Sequence, residues 1–177
     1  TFTGNQDSPV MYYVTFKGLD PRLKVFVENS VMTVKGTSLN DPNINVEGSA
    51  THTTYDGFMA EDKVFNDQIR ALYPGYDSAE EADDQAAIDS LDMEYNRIDS
   101  MRADFIKAYI SENSNTVIGP YVLVSNAYRF ELEEFEAYYD EFSEVALASD
   151  YSVEIADKIE ALTNSSIGHE APLFTMN

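Results

Sequence analysis

Two histidines, 32 carboxylates and no cysteine define the chemistry open to this chain of 177 residues. Without a thiol there is no disulfide, no thiolate metal site and no sulfur nucleophile. His52 stands between Thr51 and Thr53, with Thr54 and Asp56 following. Those residue types match the nucleophile, base and orienting acid of a hydrolytic triad. They are also the types that cap a helix start, and we read them that way. Glu133 and Glu136 could serve as a glycosidase pair, but they fall on the polar side of an amphipathic stripe, where water is the default partner. The stretch from Asp77 to Asp104 holds ten carboxylates. A calcium loop needs alternating oxygen ligands, a glycine at its sharp turn and a distal glutamate. Asp83-Asp-Gln-Ala-Ala-Ile88 lacks the glycine and reads as helix interior. Gly119, between Ile118 and Pro120, opens no phosphate-binding pattern. No catalytic, cofactor-binding or metal-binding residue is assigned.

The charge that surrounds these residues is uneven. Residues 1–48 carry five acids and four bases, whereas residues 49–177 carry 27 acids and seven bases. A polyanionic surface repels phosphate backbones and anionic lipid, so nucleic acid is not expected as a partner. The charge keeps the surface hydrated, or offers a docking face to something basic. No apolar run approaches the roughly 20 residues that span a bilayer, and no signal-peptide pattern opens the chain. Thr1-Phe-Thr-Gly4 reads like the inside of a strand, which predicts sequence upstream.

The elements that must position these groups change character near residue 48. Val10–Phe16 is rich in β-branched and aromatic residues and predicts a strand. Lys24–Glu28 and Val31–Lys35 flank Asn29-Ser30, the spacing of a tight hairpin. Ile44–Gly48 supplies a further strand. From residue 50 the period becomes helical, with Tyr55, Phe58, Phe65, Ile69 and Leu72 on one stripe. Pro74-Gly75 ends that stripe, and Ser78-Ala-Glu-Glu81 predicts a capping box. A long helix in which Ile88, Leu91, Tyr95, Ile98, Met101, Phe105 and Tyr109 hold a three-four spacing should reach about Ser111. Three more stripes follow: Val117–Tyr128, then Leu132, Phe135, Tyr139, Phe142 and Val145, then Val153, Ala156, Ile159 and Leu162, capped by Asp150 or Ser152. The expected fold is α+β, a small antiparallel, incomplete sandwich-like sheet over residues 1–48. A bundle of about five helices over residues 49–166 packs on it as one unit.

The tail carries a resemblance. Ile167-Gly-His-Glu-Ala-Pro-Leu-Phe174 resembles the opening strand of exported thioredoxin-like proteins, the TlpA/ResA and alkyl hydroperoxide reductase/TSA-related group. Upstream, Val25-Phe-Val-Glu-Asn-Ser30 with Val31–Val34, and Val46-Glu-Gly-Ser49 opening the first helix, resemble the uncharacterised domain fused in front of such enzymes, as does Phe105-Ile106 through Glu112-Asn-Ser114. The resemblance implies that residues 167–177 begin a thioredoxin-like domain whose Cys-x-x-Cys lies further on. It also implies a periplasmic or cell-envelope protein, often lipid-anchored. No catalytic residue carries over, because this chain has no thiol to exchange disulfides.

The expected role is a non-catalytic accessory domain of a thiol–disulfide oxidoreductase-like protein. It would position the redox domain that follows it or recognise a client protein or peptide, with no cofactor of its own. An incomplete sheet has an open edge, which predicts a homodimer through that edge. Two other classes compete. A peptide-binding module would add a strand along residues 10–16 or 24–36. An independent carboxylate enzyme would need converging acids with strongly raised pKa values.

Overall fold

A computed structural model describes residues 3–15, 22–38 and 44–165. His169 and the Ile167–Phe174 segment lie outside the described residues. The fold is α+β, with two small antiparallel sheets followed by helices. Strands β1 (Val10–Val14) and β2 (Leu23–Val27) pair with Val10 opposite Val27 and Val14 opposite Leu23. Strands β3 (Thr33–Lys35) and β4 (Asn45–Glu47) form the second ladder, with Val34 opposite Val46. The helices in chain order are α1 (Ala50–Arg70), α2 (Tyr73–Glu81), α3 (Gln85–Glu112), α4 (Ile118–Ser125), α5 (Leu132–Glu141), the single turn α6 (Glu144–Leu147) and α7 (Asp150–Ser165). The chain divides into two compact units, Thr1–Thr53 with Ile110–Asn177, and Thr54–Tyr109.

The hairpin expected around Asn29-Ser30 does not form: β2 pairs with β1, and β3 pairs with β4. Side chains at the bend explain the difference. Glu28 accepts the Ala50 amide at 2.7 Å, and the Ser30 hydroxyl donates to the Gly48 carbonyl at 2.5 Å. The bend is thereby tied to the start of α1, and β3 is left to pair with β4. Gly48 has φ of +89°, and a Cβ there would lie 2.1 Å from the Val31 carbonyl oxygen. Only glycine fits that approach.

Within the first unit α4 is apolar nearly all round, and Ile118, Gly119, Pro120, Val122 and Leu123 are buried. A helix of that kind belongs at the centre of a core. It packs on α6 and α7, and α5 packs on α7. Phe26 of β2 is fully buried with its ring edge-on to Tyr121 of α4, centroids 4.9 Å apart. The expected fourth stripe breaks in two. Phe142 adopts an extended backbone after α5, Ser143 accepts the Ala146 amide as the cap of α6, and Val145 is exposed. The cap of α7 is neither Asp150 nor Ser152. Ser149 does that work, its hydroxyl oxygen accepting the Ser152 amide at 3.3 Å.

The second unit is a helical hairpin held by aromatic rings. Phe58 stacks on Phe105 at 5.6 Å, Phe65 tilts against the same ring, and Tyr109 joins them from α3. The capping box expected at Ser78 is absent. Pro74 already sits in the first turn of α2, where its missing N–H costs nothing, so Ser78 falls inside the helix and donates to the Pro74 carbonyl. Asp83 and Asp84, read as helix interior, form the turn between α2 and α3. Asp83 is left-handed with φ of 53°, its amide bonds Glu80 and the Asp84 amide bonds Ala79. That is the Schellman closure of a helix, with aspartate in place of the usual glycine. Asp84 then caps α3 by accepting the Ala87 amide at 3.0 Å.

Candidate functional site

The sequence concentrates its chemistry-bearing residues where β2, β4 and α1 meet, and the structure shows how each is used. His52 is buried, and its Nδ1 accepts the Phe26 amide at 3.3 Å. An acceptor Nδ1 is unprotonated, so the imidazole is neutral with its proton on Nε2. Its own backbone amide donates to the Ser49 hydroxyl oxygen at 2.9 Å, which makes Ser49 the side-chain cap of α1. The Thr51 hydroxyl donates to Glu28 at 2.5 Å, and the Thr53 hydroxyl donates to the Ser49 carbonyl at 2.9 Å. The Thr54 carbonyl accepts the Tyr109 phenol, within the second unit. The would-be triad is therefore a helix start, with its histidine turned to the sheet.

Glu28 is the residue that sequence reasoning missed as a cap, because it lies more than 20 positions from the helix that it caps. Burial disfavours its ionisation. The Thr51 hydroxyl, the Ala50 amide, the Ser49 hydroxyl and the Thr51 amide outweigh burial and hold its carboxyl below the ordinary value. A carboxylate at a helix N-terminus is also favoured by the helix dipole. Glu28→Gln is expected to cost about 1 kcal/mol at neutral pH. The folded pKa is depressed, so this contribution is complete above the ordinary value of 4.5 and is lost as pH falls through the folded value. Urea midpoints of the wild type and the variant should differ at pH 7 and converge in acid. A constant gap across that range would contradict the assignment.

The same geometry treats the edges of the first ladder. Met11 and Phe26 face each other in the register, and their amides point away from one another. The Phe26 amide meets His52, and the Met11 amide donates to the Tyr151 hydroxyl of α7 at 2.8 Å. Burial raises the Tyr151 pKa, and the Met11 amide offsets that only in part. Each edge of the β1–β2 ladder thus has a side chain on an outward amide, a device that blunts strand addition. The three residues of β3 are all exposed, and Val31 before them is 92% exposed.

The remaining candidates are dispersed. Glu133 and Glu136 are exposed on α5. Gly119 is a packing residue: a Cβ there would lie 2.7 Å from the Asn113 carbonyl oxygen. In the second unit Asp62 and Arg102 form a two-bonded ion pair, with Nε to Oδ1 at 2.6 Å and the second bond at 3.0 Å. Among the described residues no group of three or more histidine, aspartate or glutamate side chains is placed to hold a metal. No described helix is long and apolar enough to cross a membrane.

Residues 1–55 match the model of a domain of unknown function, DUF4369. The matched stretch takes in both ladders, the Glu28–Ser49–His52 junction and the first turns of α1. No curated protein and no solved structure matches the chain. The match covers the β region and the start of α1 alone, and its description carries no activity.

Proposed function

We propose that this chain is a non-catalytic accessory module of an exported thiol–disulfide oxidoreductase-like protein, which positions the redox domain or recognises its client. One observation carries the reading. Two of the motifs behind the resemblance, Phe26-Val-Glu28 and Val46-Glu-Gly-Ser49, converge at one junction, where the Phe26 amide, the Glu28 carboxylate and the Ser49 hydroxyl each make a structural bond. Phe26 fills the core, Glu28 and Ser49 cap α1, and Gly48 admits the Val31 carbonyl. A motif built for anchoring suits a scaffold better than a reaction centre. The resemblance of Ile167-Gly-His-Glu-Ala-Pro-Leu-Phe174 to the opening strand of thioredoxin-like domains supports the same assignment.

The test is the natural polypeptide. Its intact mass and peptide map should extend past Asn177 into a Cys-x-x-Cys, and the full-length protein should reduce insulin disulfides. A natural polypeptide without that motif after Asn177 would sink the reading.

A second reading is kept for one reason, the exposed β3 strand. A peptide-binding module acting by strand addition would use Val31–Lys35, because the edges of β1 and β2 carry Tyr151 and His52. Amide shifts on adding an extended peptide should then centre on residues 31–35 and spare residues 10–14. The reverse pattern would exclude it.

A further inference from the structure

Acidic charge and apolar surface coincide at one place in the first unit. Residues 131–165 hold eleven acids and a single base, Lys158. Helices α5 and α7, which form this stretch with α6, pack on each other. An open groove of ≈ 430 Å³ runs between them, lined by Glu136, Tyr139 and Asp140 of α5 and by Ala156, Ile159 and Glu160 of α7. Tyr139, Ala156 and Ile159 are half-buried and make an apolar floor, while the three carboxylates are exposed along both rims. No basic side chain among the described residues pairs with any of the three.

What fits this groove follows from charge and size. Each side is about one helical turn long, enough to seat a single large apolar side chain with charged groups three or four positions away on its own helix. The rims have no internal compensation, so they favour a cation from outside and raise its encounter rate. A second copy of this chain brings net charge −21 and the same carboxylates, and is repelled. Nucleic acid and anionic lipid are repelled for the same reason. A bare metal ion has no use for the floor.

We infer that the α5–α7 groove docks a cationic amphipathic helical segment of a protein partner. That segment places one aliphatic or aromatic side chain on Tyr139, Ala156 and Ile159, and lysine or arginine on Glu136, Asp140 and Glu160. The floor supplies the anchor and the rims supply selection. The inference holds whether or not a redox domain follows the chain.

Two synthetic 14-residue peptides of equal positive charge separate the contributions, one an amphipathic helix of leucine and lysine, the other of serine and lysine. Titrated into the isotope-labelled chain, the leucine–lysine peptide should saturate and move the amide signals of Tyr139, Ala156 and Ile159. The serine–lysine peptide should bind at least tenfold more weakly. Neutralising the rims in E136Q/D140N/E160Q should weaken the leucine–lysine peptide tenfold or more. Neutralising three exposed acids of the other unit in D77N/E80Q/D104N should change it less than twofold. All six positions are exposed, and the amide spectrum away from the groove reports that each variant is folded. Equal affinity for the two peptides, equal losses in the two triple variants, shifts centred elsewhere, or no saturable binding would each overturn the inference.

Discussion

Phe26→Ala is expected to destabilise the first unit by about 3–5 kcal/mol, a large share of the stability of a domain this size. Phe26 is wholly buried, and among the described residues two further rings line its pocket. Tyr121 meets it edge-on at 4.9 Å and Tyr151 at 6.3 Å, and those two tyrosines lie 5.3 Å apart at 77°. Truncation removes the transfer energy of the ring and leaves a cavity walled by α4 and α7, which are held by other contacts and relax little. The pocket also orients the tyrosine whose hydroxyl takes the Met11 amide, so the cavity loosens the edge of β1 as well. Phe26→Leu should cost clearly less, because it keeps most of the volume. Tyr151→Phe keeps the ring and frees the Met11 amide, and should cost about 1 kcal/mol. Urea unfolding followed by circular dichroism orders the three variants. An alanine variant within 1 kcal/mol of the wild type would show that this pocket is not the anchor of the ladder.

How far this could be read in advance depends on the distance over which each interaction acts. Helical stripes are local, so α3 from Gln85 to Glu112 and the aromatic face of α1 are visible in the spacing of Phe58, Phe65, Phe105 and Tyr109. The α+β class follows from the change of period at Gly48-Ser49. The partner of β2 does not follow, because Asn29-Ser30 favours a local hairpin and the deciding bonds come from Ala50 and Thr51, more than 20 residues on. The caps show the same limit. Ser78 and Glu81 have the spacing of a capping box, yet Pro74 starts the helix one turn earlier and leaves them inside it. At the candidate site His52 stands out by type, but its role depends on an amide 26 positions away. Tyr151 is 140 positions from the amide that it receives, and nothing in its neighbourhood marks it.

Arg102→Met should produce the largest effect in the second unit, about 3 kcal/mol of destabilisation, through the charge that it leaves behind. The Asp62 side chain is only 8% exposed, and its carboxylate takes two bonds from Arg102, at 2.6 and 3.0 Å. Asn66 adds one more to Oδ2 at 2.7 Å. With the guanidinium gone, a buried carboxylate keeps a single neutral donor. A buried charge left without its counter-ion costs folding energy. Arg102 is more open, at 18%, which sets the expected loss at the lower end of the range for broken buried pairs. The pair itself need not be strongly stabilising, because both charges lost water when it formed. Asp62→Leu with Arg102→Met removes both charges and leaves apolar groups beside Met59 and Phe65 on the same helix. It should recover at least half of the loss caused by Arg102→Met alone. A double-mutant cycle in urea measures this directly. Were the double variant as unstable as the sum of the single ones, the two side chains would be acting independently, and the ion pair would not be what joins α1 to α3 at this level of the hairpin.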